Sequence, residues 1–355
     1  MKVFVALFLV FGCVSGWAVT VATPAAGYFR LAAPAGSDTQ LVLPLLTRSE
    51  GLGRVVNVTT DSVQLDVPGI ADGKFGPTAA GSYYLHIKTG SLGGLMFRIV
   101  SSTGTQLRLD TRGTDLMAHP LGSIEVGAHG ALACVRKLAT IKDVFGDGES
   151  AALAPVTSLV SGAYQEGDAI FVPSDSGRME AGHARISYLV GSGWRRSGDV
   201  IGDAGMTVLR PGSGFVVRIG PTSEFESFLT GYAAYGRFAI DLPVTETGEV
   251  TDIHVGLIIA EEVSLQASGL LTSNVASSPV GASAAATLLK DLLLSWPGGR
   301  AGMDRPPDRR YYGIAETWYE AGRVADADAL KPGSGYVLRL LGGRDKRFWF
   351  QNSTD

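Results

Sequence analysis

The chain has 355 residues, 45% hydrophobic and 18% charged, with 30 Lys and Arg against 34 Asp and Glu for a net charge of −4. That balance supports sizeable cores and excludes a disordered chain, and mild acidity without a basic patch argues against nucleic acid as a partner. The 47 glycines follow no collagen period and suit many short strands joined by tight turns.

The chain opens MKVFVALFLVFGCVSGWA, with Lys2, an apolar run from Val3 to Phe11, and the small residues Gly16 and Ala18 spaced for cleavage after Ala18. This order predicts a signal peptide over 1–18 and a secreted, periplasmic or outer-surface protein. Cys13 after Gly12 offers lipidation as an alternative, which bulky Phe11 disfavours. The apolar run is about half of what a bilayer span needs, and no later segment is long enough, so no transmembrane span is expected. After cleavage Cys134 is the only cysteine; within ALACVRKL it reads as a small buried hydrophobe, with no disulfide framework.

Strand-like stretches occupy 27–45. A run of short alternating segments follows: GRVVNVTT, SVQLDV, SYYLHIKTG, LMFRIVSS, TQLRLDT and GSIEVG. Turn residues punctuate them at about ten-residue spacing, which predicts a small β-barrel or sandwich inserted at 51–130. Residues 83–87 and 95–99 face each other across the glycines between Gly90 and Gly94, and His86 reads as a surface or half-buried strand residue. The sequence from Asp143 to Glu149 reads as a solvated acidic turn, because it lacks the spacing of a calcium loop. None of the five histidines pairs with another at zinc spacing, so no metal or cofactor is expected.

The strongest signal is a repeat. WRRSGDVIGDAGMTVLRPGSGFVVRIG (194–220) and WYEAGRVADADALKPGSGYVLRLLG (318–342) share a Trp, an acidic stretch and Pro-Gly-Ser-Gly-aromatic-Val. Pro211-Gly212 and Pro332-Gly333 suit type II turns, since Pro fixes φ and Gly accepts the positive φ that follows. In the strands after the turns, Phe215, Val217 and Ile219 share one face, as do Tyr336, Leu338 and Leu340. Upstream, 168–173 matches 291–297 more weakly, and Ala285, Leu288, Leu289 and Leu292 predict a short helix. The predicted fold is therefore mainly β, with two related β-rich domains, short helices and a barrel-like insertion. The first domain spans 19–50 and 131–223, and the second 224–355.

Across PAGSDT (34–39), SYYLHIKTG, GSGWRRSGD (191–199), PGSGFVVR and PGSGYVLR the chain resembles an uncharacterised family of exported proteins found mainly in verrucomicrobial genomes. None of these motifs is a catalytic signature. The resemblance implies export and carries no activity.

Gly212-Ser213-Gly214 and Gly333-Ser334-Gly335 enter strands from turns and do not form a nucleophile elbow. Asp199, Asp203, Asp326 and Asp328 read as carboxylates of exposed connecting loops without an identified partner. Trp194 and Trp318 are candidate sugar-stacking platforms or, alternatively, core residues of each repeat. Arg218 and Arg339 are candidate anion ligands or partners of a carboxylate within each unit. The expected role is non-enzymatic: an extracellular or cell-envelope scaffold, adhesion or assembly subunit. Its partners are surface components, glycans or further copies; the alternative is carbohydrate binding through Trp194 and Trp318.

Overall fold

A computed structural model describes residues 26–67, 71–77, 81–112, 115–119, 121–147, 152–156, 167–174, 185–197, 199, 201–242, 249–272, 278–281, 291–296, 305–341 and 347–353. The signal peptide expected at 1–18 and most of the helix expected around 285–292 lie outside the described residues.

The protein is mainly β. The chain begins with β1 (Ala26–Ala33), β2 (Asp38–Leu41) and β3 (Leu45–Leu46). It continues through β4 (Ser49–Val58), β5 (Ser62–Leu65), β6 (Tyr83–Ile87), β7 (Met96–Thr103), β8 (Gln106–Asp110) and β9 (Leu132–Lys137). Then come β10 (Ala139–Thr140), α1 (Ile141–Phe145), β11 (Ala169–Phe171), β12 (Arg185–Leu189), β13 (Gly193–Arg196), β14 (Val208–Leu209), β15 (Phe215–Arg218) and β16 (Phe225–Ala233). The remainder forms β17 (Arg237–Leu242), β18 (Val250–Gly256), β19 (Val263–Ser264), β20 (Leu292–Ser295), β21 (Arg309–Ile314) and β22 (Thr317–Glu320). It ends with β23 (Arg323–Val324), β24 (Ala329–Leu330), β25 (Gly335–Leu341) and β26 (Arg347–Asn352).

Two antiparallel sheets share one strand order. The first runs β2-β15-β11-β12-β13, and the second runs β18-β25-β20-β21-β22 with β23 added at its edge. Each sheet is accompanied by a short two-stranded pair (β10 with β14, β19 with β24) and by a longer ribbon (β1 with β16, β17 with β26). Residues 225–233 pair with β1 in that ribbon, and Phe225 and Leu229 pack in the same core as the first sheet. A buried carboxylate closes each unit in the same way. Asp168 accepts from the Ala154 and Gly220 amides at 2.7 Å each, and Asp291 from the Gly281 and Leu341 amides at 2.7 and 2.9 Å. Such charge-assisted bonds fix the loop before the central strand to the end of its neighbour.

Six strands close the inserted barrel in the order β4-β5-β8-β7-β6-β9. Its interior is filled by side chains including Val55, Val63, Leu85, Ile99, Leu107 and Val135. The sixth strand is β9, beyond the span 51–130, whereas GSIEVG (122–127) forms no strand. That segment instead folds over the β6–β7 connection, where Ser91 donates to the Glu125 carboxylate at 2.9 Å and to the Ser123 carbonyl at 2.6 Å. The acidic turn is likewise reshaped. Thr140 and Asp143 form a reciprocal capping box on α1, and Asp147 pairs with Lys142 at 3.0 Å.

The barrel, inserted into the first unit, docks on the second. The Ala239 amide donates to the Gly94 carbonyl at 2.9 Å, Lys88 to the Tyr235 carbonyl at 2.5 Å, and Arg112 pairs with Asp241 at 3.2 Å. This contact corrects the reading of His86, which is fully buried rather than surface or half-buried. Its ring lies 4.4 Å from that of Phe238, and its Nε2–H donates to the Arg237 carbonyl at 3.2 Å. Burial, reinforced by nearby Lys88, pushes its pKa down to about 3. Cys134 is buried in β9, as its apolar context suggested.

Candidate functional site

Trp194 and Trp318 have no exposed surface. Trp194 donates from Nε1 to the Gly146 carbonyl at 2.8 Å and packs edge-on to Phe145 and Tyr188. Trp318 lies in the core of the second unit, its own amide donating to Asp326 at 2.7 Å. Neither indole leaves a face on which a sugar can stack, so carbohydrate binding through these two residues is corrected by their burial. Arg218 grips Asp38 with two bonds of 2.7 Å, and Arg339 grips Asp252 with bonds of 2.8 and 2.7 Å. Both guanidiniums thus hold the first and second strands of their sheets in register, and the two lie on different sheets.

The acidic loops also have partners. Asp328 accepts from Tyr311 at 3.1 Å and from Arg323 at 2.7 Å, and Asp203 from Lys142 at 2.9 Å. Hydrogen bonds from Arg323 and the cations around it hold the Asp328 carboxyl below its ordinary range.

The repeated Pro-Gly turns are what join the two units. Gly212 and Gly333 have φ of 75° and 77°, and the Ser213 and Ser334 amides close the turns onto Arg210 and Lys331 at 3.1 and 3.2 Å. Each turn then bonds to the other unit. The Gly256 amide donates to the Gly212 carbonyl at 3.0 Å, and the Val42 amide donates to the Gly333 carbonyl at 3.0 Å. Single β-bridges, Ser213 with Val255 and Ser334 with Leu41, repeat that reciprocity. A Cβ at Gly212 would lie 2.6 Å from Ile240, and one at Gly333 2.3 Å from Phe29. Both glycines are therefore required twice, by dihedral angle and by close approach.

Clefts open along this seam. An open groove of about 620 Å³ runs beside the second turn and is lined by Phe29, Gln40, Trp296, Arg309, Lys331 and Tyr336. Trp296, half-buried and missed in the sequence, donates to the Arg305 carbonyl at 3.0 Å. Its signal was an aromatic residue directly after an apolar strand and before Pro297. Burial pushes the Tyr336 hydroxyl up to about 12, so it stays protonated while it accepts from the Lys331 amide at 2.7 Å. The first turn faces the barrel, and there the seam opens into a partly enclosed cavity bordered by all three modules.

The two ribbons differ on their outer faces. Ala239, Phe348 and Phe350 of β17–β26 pack against the barrel core. Matching Phe29 to Ile240 through their turn glycines places Tyr28 and Phe228 of β1–β16 at the corresponding outer positions. Tyr28 is 81% exposed and Phe228 64% exposed. Among the described residues no helix is long and apolar enough to cross a membrane. Comparison with family models, with curated proteins and with solved structures finds no match to this chain.

Proposed function

We propose that this is an exported, internally duplicated, non-enzymatic protein that works as an assembly or scaffold subunit at the cell envelope or outside the cell. The observation that carries the reading is the uncovered outer face of the β1–β16 ribbon. Its counterpart on β17–β26 is covered by the barrel, a β-rich body, whereas Tyr28 and Phe228 stand in solvent. Large exposed aromatics grouped on one sheet face mark a contact surface. Arg30 and Glu226, paired at 2.9 Å beside them, supply a charged rim. The occupant that fits this face is another copy of the chain. The candidate anion ligands Arg218 and Arg339 are instead bonded to carboxylates within the fold, and this supports a structural role. The resemblance to exported proteins and the leader-like first 18 residues support placement outside the cytoplasm.

Sedimentation of the purified mature protein tests the reading. Oligomers are expected at micromolar concentration and are expected to dissociate in Tyr28→Ser and Phe228→Ser. A wild-type protein that stays monomeric and retains no envelope material overturns it. A second reading is carried by the groove. Phe29 and Trp296, both half-buried, beside Lys331 and Arg309 form a platform suited to a glycan, a use that the buried Trp194 and Trp318 cannot serve. A glycan array with Trp296→Ala as the control separates this reading from the first.

A further inference from the structure

The cavity at the junction of the barrel, the first turn and the second sheet has a volume of about 120 Å³. Its wall divides by chemistry. Leu95, Phe97, Ile240, Ile253 and Phe348 form an apolar side, while Tyr84, Arg98 and His254 are polar residues of the same wall. Tyr84 and His254 are both more than nine-tenths buried, and both carry an atom without a partner: Oη of Tyr84 and Nδ1 of His254. A buried hydroxyl or ring nitrogen left unpaired is costly, so a pair of them lining one cavity points to an occupant.

The protonation states define that occupant. Burial raises the Tyr84 hydroxyl far above its ordinary value, so it stays protonated and has an O–H to donate at physiological pH. Burial pushes His254 down to about 4, and its neutral ring can hold a proton on Nδ1 and donate it. Arg98 is the cross-strand neighbour of Tyr84 on the barrel's outer face and adds a guanidinium. The other charged groups on the wall are Arg112, Arg210, Asp110 and Asp241, and the cavity also touches His119. Asp241 and Arg112 offset each other in an ion pair, and Asp110 accepts the Arg112 backbone amide at 3.1 Å and keeps its charge. The wall holds three arginines against two aspartates.

Arg98, Arg210, Ser174 and Ser213 also border an adjoining cleft of about 370 Å³ between the barrel and the first sheet. That cleft adds Arg196 and has no carboxylate among its described lining residues. Arg98, which borders both the cleft and the cavity, places a positive charge where the two meet.

We propose that this junction is a binding site for a small monocarboxylate with a short apolar body. The carboxylate receives Tyr84 Oη–H, the Arg98 guanidinium and His254 Nδ1–H, while the alkyl part lies against Phe97, Ile253 and Phe348. A ligand seated there contacts all three modules and fastens the barrel to both sheets. The site is independent of the assembly reading, and either can fail without the other.

The test is calorimetric titration of the mature protein with sodium butyrate, with butyramide and inorganic phosphate as controls. Saturable butyrate binding is expected, with butyramide weaker because it lacks the charge and phosphate weaker because it lacks the apolar body. Tyr84→Phe removes only the unpaired hydroxyl, so it should leave ligand-free thermal stability unchanged or raised while weakening butyrate by about tenfold or more. Arg98→Gln should weaken it at least as much. Absence of saturable butyrate binding, equal binding of butyramide, or wild-type affinity in both variants overturns the proposal. Equal or tighter binding of phosphate also overturns the carboxylate assignment.

Discussion

The first and second sheets share a strand order, a buried carboxylate, an arginine clasp, a buried tryptophan and a Pro-Gly turn, yet their surroundings differ. The second carries the barrel on its ribbon and a histidine, His254, in β18. The first leaves its ribbon open and has Gln40 at the matching place, because Leu41 and Val255 make the equivalent bridges. What the sheets share explains folding. What they do not share, the ribbon face and the barrel-bordered cavity, is where a specific role has room to reside.

Acid should separate the halves most strongly. His86 and His254 ionise with an ordinary pKa of 6.5 once unfolded but are held at about 3 and about 4 in the fold, chiefly by burial. Below pH 6.5 the unfolded chain binds more protons, so stability present at neutral pH is lost as pH falls toward the folded values. Two such groups together remove about 5 kcal/mol between pH 6.5 and 4.5. Both lie in the barrel contact or the second sheet, so that half should lose its structure before the first. Urea melts at pH 7 and 4.5 read this difference. The variants His86→Gln and His254→Gln should flatten the acid slope, the latter copying the first sheet's own Gln40. An unchanged slope in both variants refutes this origin of the acid sensitivity.

The arginine clasps should differ by less. Asp38 has 6% of its side chain exposed, whereas Asp252 has 39%. Arg218→Ala strands a buried carboxylate and also loses a guanidinium lying 5.1 Å from the centre of the Phe171 ring, for a cost of about 3 kcal/mol. Arg339→Ala leaves a carboxylate that water can reach, so its cost should stay under about 1 kcal/mol. Chemical denaturation of the two variants measures the difference. Equal losses would mean that Asp252 is as dry as Asp38 in solution.

How much of this was legible follows from how local each feature is. The Pro-Gly turns and the faces of Phe215, Val217 and Ile219 could be read directly, because dihedral preference and two-residue alternation act within a few positions. The barrel's existence was legible for the same reason. Its closing strand was not: ALACVRKL shows a nearly unbroken apolar run because the β9 residues Ala133, Cys134 and Val135 are all buried. GSIEVG alternates convincingly yet has no ladder to join. The clasp between Asp38 and Arg218 spans 180 residues, and nothing local marks that pairing. The cavity was the least legible feature. Tyr84, Arg98, Arg210 and His254 come from the barrel, the first turn and the second sheet, and only the docking of the barrel gathers them.

The tryptophans give the smallest contrast. Both rings are fully buried and of equal size, so truncation to Phe removes a similar volume at each site. Their indole N–H groups differ. Trp194 Nε1 donates to the Gly146 carbonyl at the end of α1, whereas Trp318 Nε1 is buried without a partner. Trp194→Phe therefore loses a bond and leaves a carbonyl unpaired, while Trp318→Phe discards a donor that was already unsatisfied. The second variant should be the milder by about 1–2 kcal/mol. Because the rings occupy matching places, thermal denaturation of the pair isolates the hydrogen bond from the packing. Equal losses would indicate that Trp318 finds a partner in solution, and the second core would then match the first in its polar as well as its apolar contacts.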